Sequence, residues 1–384
     1  MALRTVVLGA GHVARSLLSL LCRNEVADHL QVLGVADRSG AVLDLRRPQL
    51  RELAARKAAG QSLRTQAAAG IGRFHSWDAP RLIAEVRPDL VIDLTPSRPD
   101  DPGSRHLRIA LEQGADVVTA NKQPLAWRYS ELTGLARRHG RVLAFGATVG
   151  GAAPVIDLVR YGAWADQVVG LRGVLNGSSS LAADLVAAHP RIGWEGAIAQ
   201  LRPQGVLEED WRLDLHGGDL AAKGAILANV LGAPGHTPLD IRTLPITDLS
   251  PSEVAGAAET GHVVRYVLAI GEGHASVSPQ VLPKTHALAT TGAMAAVEVA
   301  TALLGPLTLH GTGAGAAPTA GALLADLAQV VAFRQGRSVP PEGWGASAAR
   351  PPSVSPSVRR GPPLLVPPAT RKGQRPALSV RPVE

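Results

Sequence analysis

Five carboxylates lead up to a lysine in the segment LEEDWRLDLHGGDLAAK, residues 207–223. They are Glu208, Glu209, Asp210, Asp214 and Asp219. Such a cluster can bind a cationic group, and an ammonium group beside it can give a proton to a reacting oxygen. Asp219, the predicted N-cap of a helix over residues 220–232, is four residues before Lys223, so both lie on one face. A cap with a surface ion pair, worth at most about 1 kcal/mol, explains the same spacing.

Lysine is rare in this chain, because only five of its 39 basic residues are Lys. Arginine keeps its proton throughout the working pH range, whereas lysine can release it. Two lysines stand inside motifs, Lys122 after a predicted strand and Lys223 in the acidic segment. Both are therefore candidates for proton transfer.

A glycine-rich loop follows the first apolar run, in the pattern Gly9-x-Gly11-x-x-Ala14. Glycine permits the tight turn and the close approach of a pyrophosphate, and the small alanine permits close packing of helix on strand. Free N–H groups at the start of the helix would bind the phosphates. The pattern predicts a dinucleotide site, with a tight glycine turn as the alternative. The predicted contacts of this loop are Gly9, Gly11, His12, Val13 and Ala14, and no catalytic role is assigned to His12.

The second predicted strand ends at Asp37, which Arg38 follows. An aspartate here can accept hydrogen bonds from the adenosine ribose of NAD, whereas an arginine can pair with the 2′-phosphate of NADP. The sequence therefore predicts NAD or NADP and leaves the preference open.

The order of predicted elements indicates two folded parts. Apolar runs alternate with helical segments, which is typical of a parallel sheet with helices on both faces. Ligands of such sheets lie at the carboxyl ends of the strands, where Thr95 and Lys122 fall. Strands are predicted at 3–9, 30–37, 89–97, 116–122 and 141–151, and helices at 41–70, 104–113 and 125–139. After Gly151, closely spaced strands indicate an α+β part with a mostly antiparallel sheet. These strands are predicted at 167–177, 238–246, 262–272, 275–283 and 306–311.

These patterns divide the chain into three predicted parts. The predicted fold classes are an α/β Rossmann-type nucleotide domain, an α+β domain and a disordered tail. The boundaries are 1–140 for the dinucleotide-binding domain, 141–305 for the second, α+β domain, 306–334 for a segment returning to the first domain, and 335–384 for the tail.

The net charge of +7 belongs to the end of the chain. Residues 334–384 contain nine basic and two acidic residues with 11 prolines, and the other 333 residues contain 30 of each charge. A neutral body argues against nucleic-acid binding. No apolar run reaches the roughly 18–20 residues that span a bilayer, so no membrane partner is expected. The single cysteine, Cys22, fits a reducing cytoplasm.

Six motifs together resemble the homoserine dehydrogenase family over about residues 4–333. They are the Gly9 loop, VVTANKQPLA (117–126), ATVGGAAP (147–154), GVLNGSS (173–179), LEEDWRLDLHGGDLAAK (207–223) and GTGAGAAPTA (311–320). The resemblance implies the reversible reduction of L-aspartate 4-semialdehyde to L-homoserine by NADH or NADPH. It also implies that the second domain, residues 141–305, binds the substrate and pairs two subunits into a homodimer. The regulatory amino-acid-binding domain of longer relatives is not expected, nor is feedback through it.

The resemblance also implies roles for individual residues. Lys223 is the expected proton donor, oriented by Asp219, and Lys122 faces it across the cleft. Two converging lysines are expected to lower each other's pKa. The expected substrate-binding residues are Glu208, Asp214, Asn176, Gly177 and Ser178. Thr95, Lys122 and Gly313 are expected beside the cofactor, although Gly313 fits a simple turn equally well.

The sequence departs from the family pattern at several positions. Gly146 stands where the family has a Glu that helps to enclose a monovalent cation. The carbonyls of Val149, Gly151 and Ala153 remain candidate ligands for Na⁺ or K⁺, but the charge attraction of the carboxylate is lost. Ser179, Ser180 and Trp211 also depart from the pattern near the substrate pocket, which leaves the identity of the substrate open.

Two alternative functions are compatible with these motifs. The first is an NAD(P)-dependent oxidoreductase acting on a different small aldehyde or keto acid. The second is a non-catalytic binding protein that uses its basic tail on nucleic acid or acidic partners, which the intact Lys, Asp and Glu set disfavours.

Overall fold

The computed structural model describes residues 2–98, 104–162, 166–233, 235–271 and 273–337, so the predicted tail lies outside the described residues from position 338 onward. The strands are β1 (Leu3–Leu8), β2 (Leu30–Asp37), β3 (Gly40–Leu43), β4 (Arg73–His75), β5 (Leu90–Asp93), β6 (Asp116–Thr119), β7 (Leu143–Ala144), β8 (Val168–Val174), β9 (Arg242–Thr243), β10 (His262–Gly271), β11 (His274–Pro283), β12 (Met294–Thr301) and β13 (Pro306–Thr312).

The helices are α1 (His12–Leu21), α2 (Arg47–Ala58), α3 (Leu63–Ala68), α4 (Ala79–Val86), α5 (Ser104–Glu112), α6 (Lys122–Arg138), α7 (Val155–Asp157), α8 (Gly177–Ala188), α9 (Gly193–Leu201), α10 (Arg212–Leu215), α11 (Gly218–Val230), α12 (Pro251–Glu259) and α13 (Ala316–Arg334).

The first domain is built on a seven-stranded sheet of order β4-β3-β2-β1-β5-β6-β7. Strands β2, β1, β5, β6 and β7 run parallel, and all four residues of β5 and of β6 are buried, as expected for strands covered by helices on both faces. The chain leaves β1 toward β2 on one side and returns to β5 on the other. The carboxyl ends of β1 and β5 therefore form the switch point at which such sheets bind ligands.

An antiparallel edge extends this sheet where the sequence predicts only helix. Residues 41–70 were expected to be helical, but β3 occupies Gly40–Leu43 and pairs with β2 and β4. The prediction is wrong there because β3 is held in the sheet on one side by β2 and on the other by the more distant β4, as in the pairing of Val42 with Phe74.

The second domain contains a six-stranded sheet of order β13-β12-β8-β10-β11-β9, antiparallel except for the short pairing of β9 with β11. Both sheets confirm the predicted fold class. Strand β12 was not predicted, because its run MAAVEVAT is rich in alanine, which strands disfavour. The strand expected around residues 238–246 is reduced to the two residues of β9.

Two helices, α11 and α13, pack against elements of the first domain. Helix α11 of the second domain packs against α6 of the first, which brings Lys223 toward Lys122. Helix α13 returns from β13 to pack on α1 and on the edge of the first sheet. It has 19 residues and is apolar enough, by length and composition alone, to cross a membrane, as a core helix also can be. Its buried face includes Leu323, Asp326 and Leu327.

Candidate active site

The turn after β1 brings Gly9 against the chain that follows β5. Gly9 has φ +98°, and a Cβ there would lie 2.3 Å from the carbonyl oxygen of Leu94. Its N–H donates to the carbonyl of Ala36 at 2.7 Å. Only glycine combines a positive φ with such a close approach, so this residue sets the turn at the switch point.

The start of α1 fits a pyrophosphate. Gly11 is the N-cap, no side chain caps the first turn, and a Cβ at Gly11 would meet no atom within 4 Å. His12 is exposed and Val13 half-buried, while Ala14 is fully buried against the sheet. The first-turn N–H groups and the positive end of the helix dipole are therefore accessible to an anion.

Asp37 lies at the end of β2 and already has a cationic partner. Its carboxylate accepts hydrogen bonds from Lys57 Nζ at 2.8 Å and from the Ser39 N–H at 2.8 Å. Burial acts to raise the pKa of Asp37, but these bonds and the Lys57 charge outweigh it and lower the pKa. Lys57 was not predicted as the cation at this position, where the sequence suggested the exposed Arg38, although the rarity of lysine was a usable signal.

The ends of β5 and β6 are tied together by side chains. Asn121 is the N-cap of α6 and donates from Nδ2 to Thr95 Oγ1 at 3.0 Å. The N–H of Lys122 donates to Ser97 Oγ at 3.1 Å. These bonds fix the point at which the Lys122 side chain leaves the first domain.

Asp219 joins the two lysines that the sequence singles out. One carboxylate oxygen lies 3.2 Å from Lys122 Nζ, and the other lies 2.8 Å from Lys223 Nζ. Lys223 also donates to the carbonyl of Leu175 at 2.6 Å. Asn176 Nδ2 completes the cluster, 3.0 Å from Asp219 and 3.0 Å from Asp214. A cation from each domain therefore meets a single buried carboxylate.

The two buried acids of this cluster have opposite pKa shifts. Burial acts to raise the pKa of Asp219, but Lys223 and Lys122 outweigh it and lower the pKa well below its usual range. Burial, with repulsion from Asp219 and Glu208, raises the pKa of Asp214 to about 6. Hydrogen bonds from Asn176 and the Glu208 N–H act to lower this pKa, but burial outweighs them. Asp219 is thus held ionised, whereas no basic side chain among the described residues forms a direct ion pair with Asp214.

The expected mutual lowering of the lysine pKa values is wrong for Lys122. Burial acts to lower its pKa, but Asp219 and Glu208 outweigh burial and raise it. The reason is that Asp219 lies between the two lysines and screens their repulsion.

Helix α11 starts earlier than predicted. Gly217, with φ +89°, is the N-cap and Gly218 the first helical residue, so Asp219 is not the cap. A Cβ at Gly217 would lie 2.6 Å from the hydroxyl oxygen of Tyr266. The two glycines therefore let the helix start against β10, which frees the Asp219 side chain to contact both lysines.

The remaining predicted substrate residues surround the acids. The exposed Glu208 gives its N–H to Asp214 at 2.8 Å. Ser178 Oγ donates to the Val206 carbonyl at 2.6 Å, which fixes the preceding segment. Gly177 packs against Ala293, whose carbonyl accepts from the Gly313 N–H at 3.0 Å. Gly313 therefore lies on the substrate-domain side of the site.

Comparisons with known proteins match both domains. The family model described as homoserine dehydrogenase matches residues 154–328, and that described as homoserine dehydrogenase, NAD binding domain, matches residues 9–146. The NAD(+)-dependent homoserine dehydrogenase of Pseudomonas canavaninivorans is 30% identical over 344 residues, covering 85% of this chain and 96% of the relative.

The chain belongs to the homoserine dehydrogenase family. The homoserine dehydrogenase of Methanocaldococcus jannaschii is 32% identical over 251 residues, which cover 65% of this chain and 74% of that protein. A hyperthermophilic archaeal homoserine dehydrogenase mutant in complex with NADPH has a similar structure, with a TM-score of 0.75 and 26% identity over 87% of this chain and 98% of the other.

This homoserine dehydrogenase family member has a buried acid beside Gly146 that the sequence analysis missed. Asp326 of α13 accepts hydrogen bonds from the N–H groups of Gly146 and Ala147, each at 3.3 Å. A Cβ at Gly146 would lie 2.7 Å from Asp326 Oδ1. Burial and repulsion from Asp157 raise the pKa of Asp326 to about 7. Nothing in the local sequence indicates this contact, because 180 residues separate the partners.

The predicted cation ligands lie in the segment that follows Gly146. The carbonyl of Ala153 accepts from the Val155 N–H at 2.8 Å, and Gly151, with φ +62°, packs against Gly313. In the described ranges no group of three or more His, Cys, Asp or Glu side chains is arranged to hold a metal ion. A monovalent-cation site at the carbonyls of Val149, Gly151 and Ala153 stays a prediction.

The residues that depart from the family pattern have local partners. Ser179 Oγ and Ser180 Oγ both donate to the Asn176 carbonyl, at 2.9 and 3.4 Å. Trp211 lies edge-on to His216, with ring centroids 5.2 Å apart. The two serines therefore support the turn that carries Asn176.

Proposed function

We propose that this chain catalyses the reversible reduction of L-aspartate 4-semialdehyde to L-homoserine with NADH or NADPH. The observation that carries the proposal is the position of Asp219, buried between Lys122 of the first domain and Lys223 of the second. The cluster lies beside strand ends that fit a dinucleotide. Membership of the homoserine dehydrogenase family gives the reaction.

Lys223 is the proton donor in this proposal. An ammonium group has three N–H donors, and the Leu175 carbonyl and Asp219 engage two of them, so one N–H remains for a substrate oxygen. When bound, the reduced nicotinamide supplies a hydride to the carbonyl carbon. Lys223 gives its proton to the oxygen on which negative charge develops.

Lys122 contributes charge rather than a proton. Its raised pKa keeps the ammonium protonated, and its side chain is largely buried. A fixed positive charge in a buried site stabilises a developing oxyanion more than it would in water. Asp219 holds both lysines at the same point, which makes it a shared positioning group.

Asp214 and Glu208 bind the amino group of the substrate. Asp214 is 3% exposed, and among the described residues no basic side chain forms an ion pair with it. A buried carboxylate without a cation is costly, so a substrate ammonium would relieve that cost on binding. Asn176 links Asp214 to Asp219 and so keeps the amino group at a fixed distance from the proton donor.

The cofactor site supports NAD and NADP. The accessible start of α1 fits the pyrophosphate, and Asp37 fits a ribose hydroxyl. Lys57, 2.8 Å from Asp37, offers a positive charge for a 2′-phosphate. One relative is described as NAD(+)-dependent and a solved relative contains NADPH.

The direct test is to mix the protein with aspartate semialdehyde and NADH or NADPH and to follow the absorbance of the reduced nicotinamide. We expect its oxidation to depend on both substrates. Small aldehydes and keto acids without an amino group should react far more slowly, because they leave Asp214 unpaired. Equal rates with them would contradict the proposed substrate.

We also propose a homodimer that pairs through the six-stranded sheet. Helices α8, α11 and α12 pack against one face of this sheet. The other face carries Arg172, half-buried, which donates to Gln280 at 2.6 Å and lies 3.7 Å from Glu298. Sedimentation of the protein and of a Glu298→Lys variant tests this interface, and a monomeric wild type would contradict it.

The cytoplasm is the compartment that we propose. The support is the single cysteine, Cys22, which is free in the structure and allows no internal disulfide. Fractionation of cells that express a tagged chain tests this.

A further inference from the structure

A further buried acid, Asp93, lies at the end of β5 beside the glycine loop of Gly9. It is 0% exposed. His106 of α5 approaches it with Nε2 3.1 Å from Oδ1, and Thr119 Oγ1 donates to Oδ2 at 2.8 Å. Thr95 contributes both its N–H, at 3.1 Å, and its hydroxyl, at 2.6 Å. The proposed mechanism uses neither Asp93 nor His106.

The direction of the hydrogen bond between Thr95 and Asp93 follows from the charge of the carboxylate. Burial acts to raise the pKa of Asp93, but the charge and hydrogen bond of His106 and the two threonine hydroxyls outweigh it and lower the pKa. An ionised carboxylate has no proton to give, so His106 Nε2 and the Thr95 hydroxyl must donate to it.

Asn121 fixes the other side of the Thr95 hydroxyl. Its Oδ1 accepts from the Gln123 N–H at 3.2 Å, and a backbone N–H can only donate, which determines which end of the amide is oxygen. The Nδ2 group therefore faces Thr95 Oγ1 at 3.0 Å and donates to it. The hydroxyl has then used its proton and one lone pair, so only an acceptor lone pair is left.

That lone pair belongs to a residue at the predicted cofactor position. Thr95 is half-buried, and its backbone N lies 3.1 Å from the place where a Cβ of Gly9 would be. The glycine loop and Thr95 therefore share the switch point of the sheet. A ligand there meets a hydroxyl that can accept but cannot donate.

We propose that His106 is a positioning residue for the cofactor: through Asp93 it holds the Thr95 hydroxyl as a hydrogen-bond acceptor for an N–H or O–H donor of the nicotinamide riboside half. This inference rests on the proposed dinucleotide function. His106 does not touch the cofactor. It acts on Asp93, Asp93 acts on Thr95, and Thr95 makes the contact.

The test is a double-mutant cycle on cofactor binding, measured by calorimetry with NADH and NADPH and no aldehyde present. Thr95→Val removes the acceptor and His106→Phe removes the donor that keeps Asp93 ionised, so each should weaken binding about tenfold. Together they should weaken it no more than about twofold beyond either single change, because both act through one contact. His106→Gln keeps an N–H donor and should recover most of the affinity.

Several controls separate positioning from general damage to the fold. Arg108→Gln, on the same helix but exposed and paired with Glu112 at 3.8 Å, should leave cofactor binding unchanged. Asp93→Asn, of equal shape, gives a second cycle with Thr95→Val if His106→Phe does not fold. In turnover assays His106→Phe should raise KM for the cofactor and leave kcat within about threefold.

A cofactor analogue with 3-acetylpyridine in place of nicotinamide lacks the carboxamide N–H and identifies the donor. If Thr95→Val costs this analogue little affinity, the carboxamide is the donor, and if the cost is unchanged, it is a ribose hydroxyl. Additive losses in both cycles, or tenfold weaker binding in neither Thr95→Val nor His106→Phe, would overturn the inference and leave the proposed function standing. Wild-type protein that binds neither cofactor would overturn both.

Discussion

The two sides of the proposed active site differ in how completely their buried acids are paired. We call the first-domain side, with Asp93 and Asp37, the cofactor wall, and the second-domain side, with Asp214, the substrate wall. On the first-domain wall, Asp93 has His106, Thr95 and Thr119 as donors, and its pKa is lowered. On the second-domain wall, Asp214 accepts from the Asn176 amide and the Glu208 N–H, its two donors among the described residues, and burial raises its pKa to about 6. In the proposed function, the cofactor wall is therefore organised before any ligand binds, whereas the substrate wall gains a cationic partner from the ligand.

The largest effect should come from Lys223, where the walls meet. Lys223→Ala should lower turnover at least ~10²-fold, because the proton donor is lost, while NADPH affinity is retained. Steady-state kinetics and calorimetry check the two parts. Lys284→Ala, which removes an exposed lysine far along the chain, is the matched control. Full activity in the Lys223 variant would remove the proposed mechanism.

Asp214 tests the substrate wall alone. Asp214→Asn should raise KM for aspartate semialdehyde roughly 30-fold and leave cofactor affinity unchanged, because a buried charge that pairs with the substrate is lost. In the wild type, kcat/KM should fall as the pH drops below about 6, because protonation neutralises the carboxyl that binds the ammonium.

This acidic limb of the pH profile should disappear in Asp214→Asn. Glu209→Gln, an exposed neighbour, should keep it. A profile that is the same in the Asp214 variant and the wild type would assign the limb to another group.

Asp37 tests the cofactor wall alone. Asp37→Asn weakens the acceptor for the ribose hydroxyl and removes a negative charge near a 2′-phosphate, so the ratio of NADPH to NADH affinity should rise about tenfold. KM for the aldehyde should not change. Asp44→Asn, an exposed carboxylate on the same edge of the sheet, is the control. An unchanged ratio would show that Asp37 does not face the ribose.

The smallest effect concerns stability and comes from Asp326, outside both walls. Its folded pKa of about 7 is above the usual value of 3.8, so between those values the folded state binds more protons than the unfolded state. The free energy of unfolding should fall by about 1 kcal/mol per pH unit as the pH rises toward 7.

Asp326→Asn should flatten this slope in urea titrations at pH 5, 6 and 7. That variant retains Asp157, the neighbouring carboxylate whose repulsion helps to raise the pKa of Asp326. An unchanged slope would show that Asp326 is ionised throughout the range.

The alternating strands and helices typical of a parallel sheet, the glycine turn and the lysine–carboxylate segment could be predicted, because each pattern is formed by residues close together in the chain. Strand β12 was not predicted, since its alanine-rich run forms a strand only because β8 and β13 flank it. Lys57, 20 residues from Asp37, and Asp326, 180 residues from Gly146, were not predicted either. Spacing along a helix or a loop is visible in the sequence, whereas a pairing across the fold is not.

The sequence by itself determined which chemical groups are available: a glycine loop for phosphates, two lysines among many arginines, and a group of carboxylates. Only the tertiary structure decided their protonation, because that depends on burial and on partners from other elements. Asp219 and Asp214 are both aspartates in one short segment, yet two lysines lower the pKa of the first and burial raises that of the second. The packing of α6 on α11, which no local pattern specifies, puts Lys122 in an ion pair with Asp219.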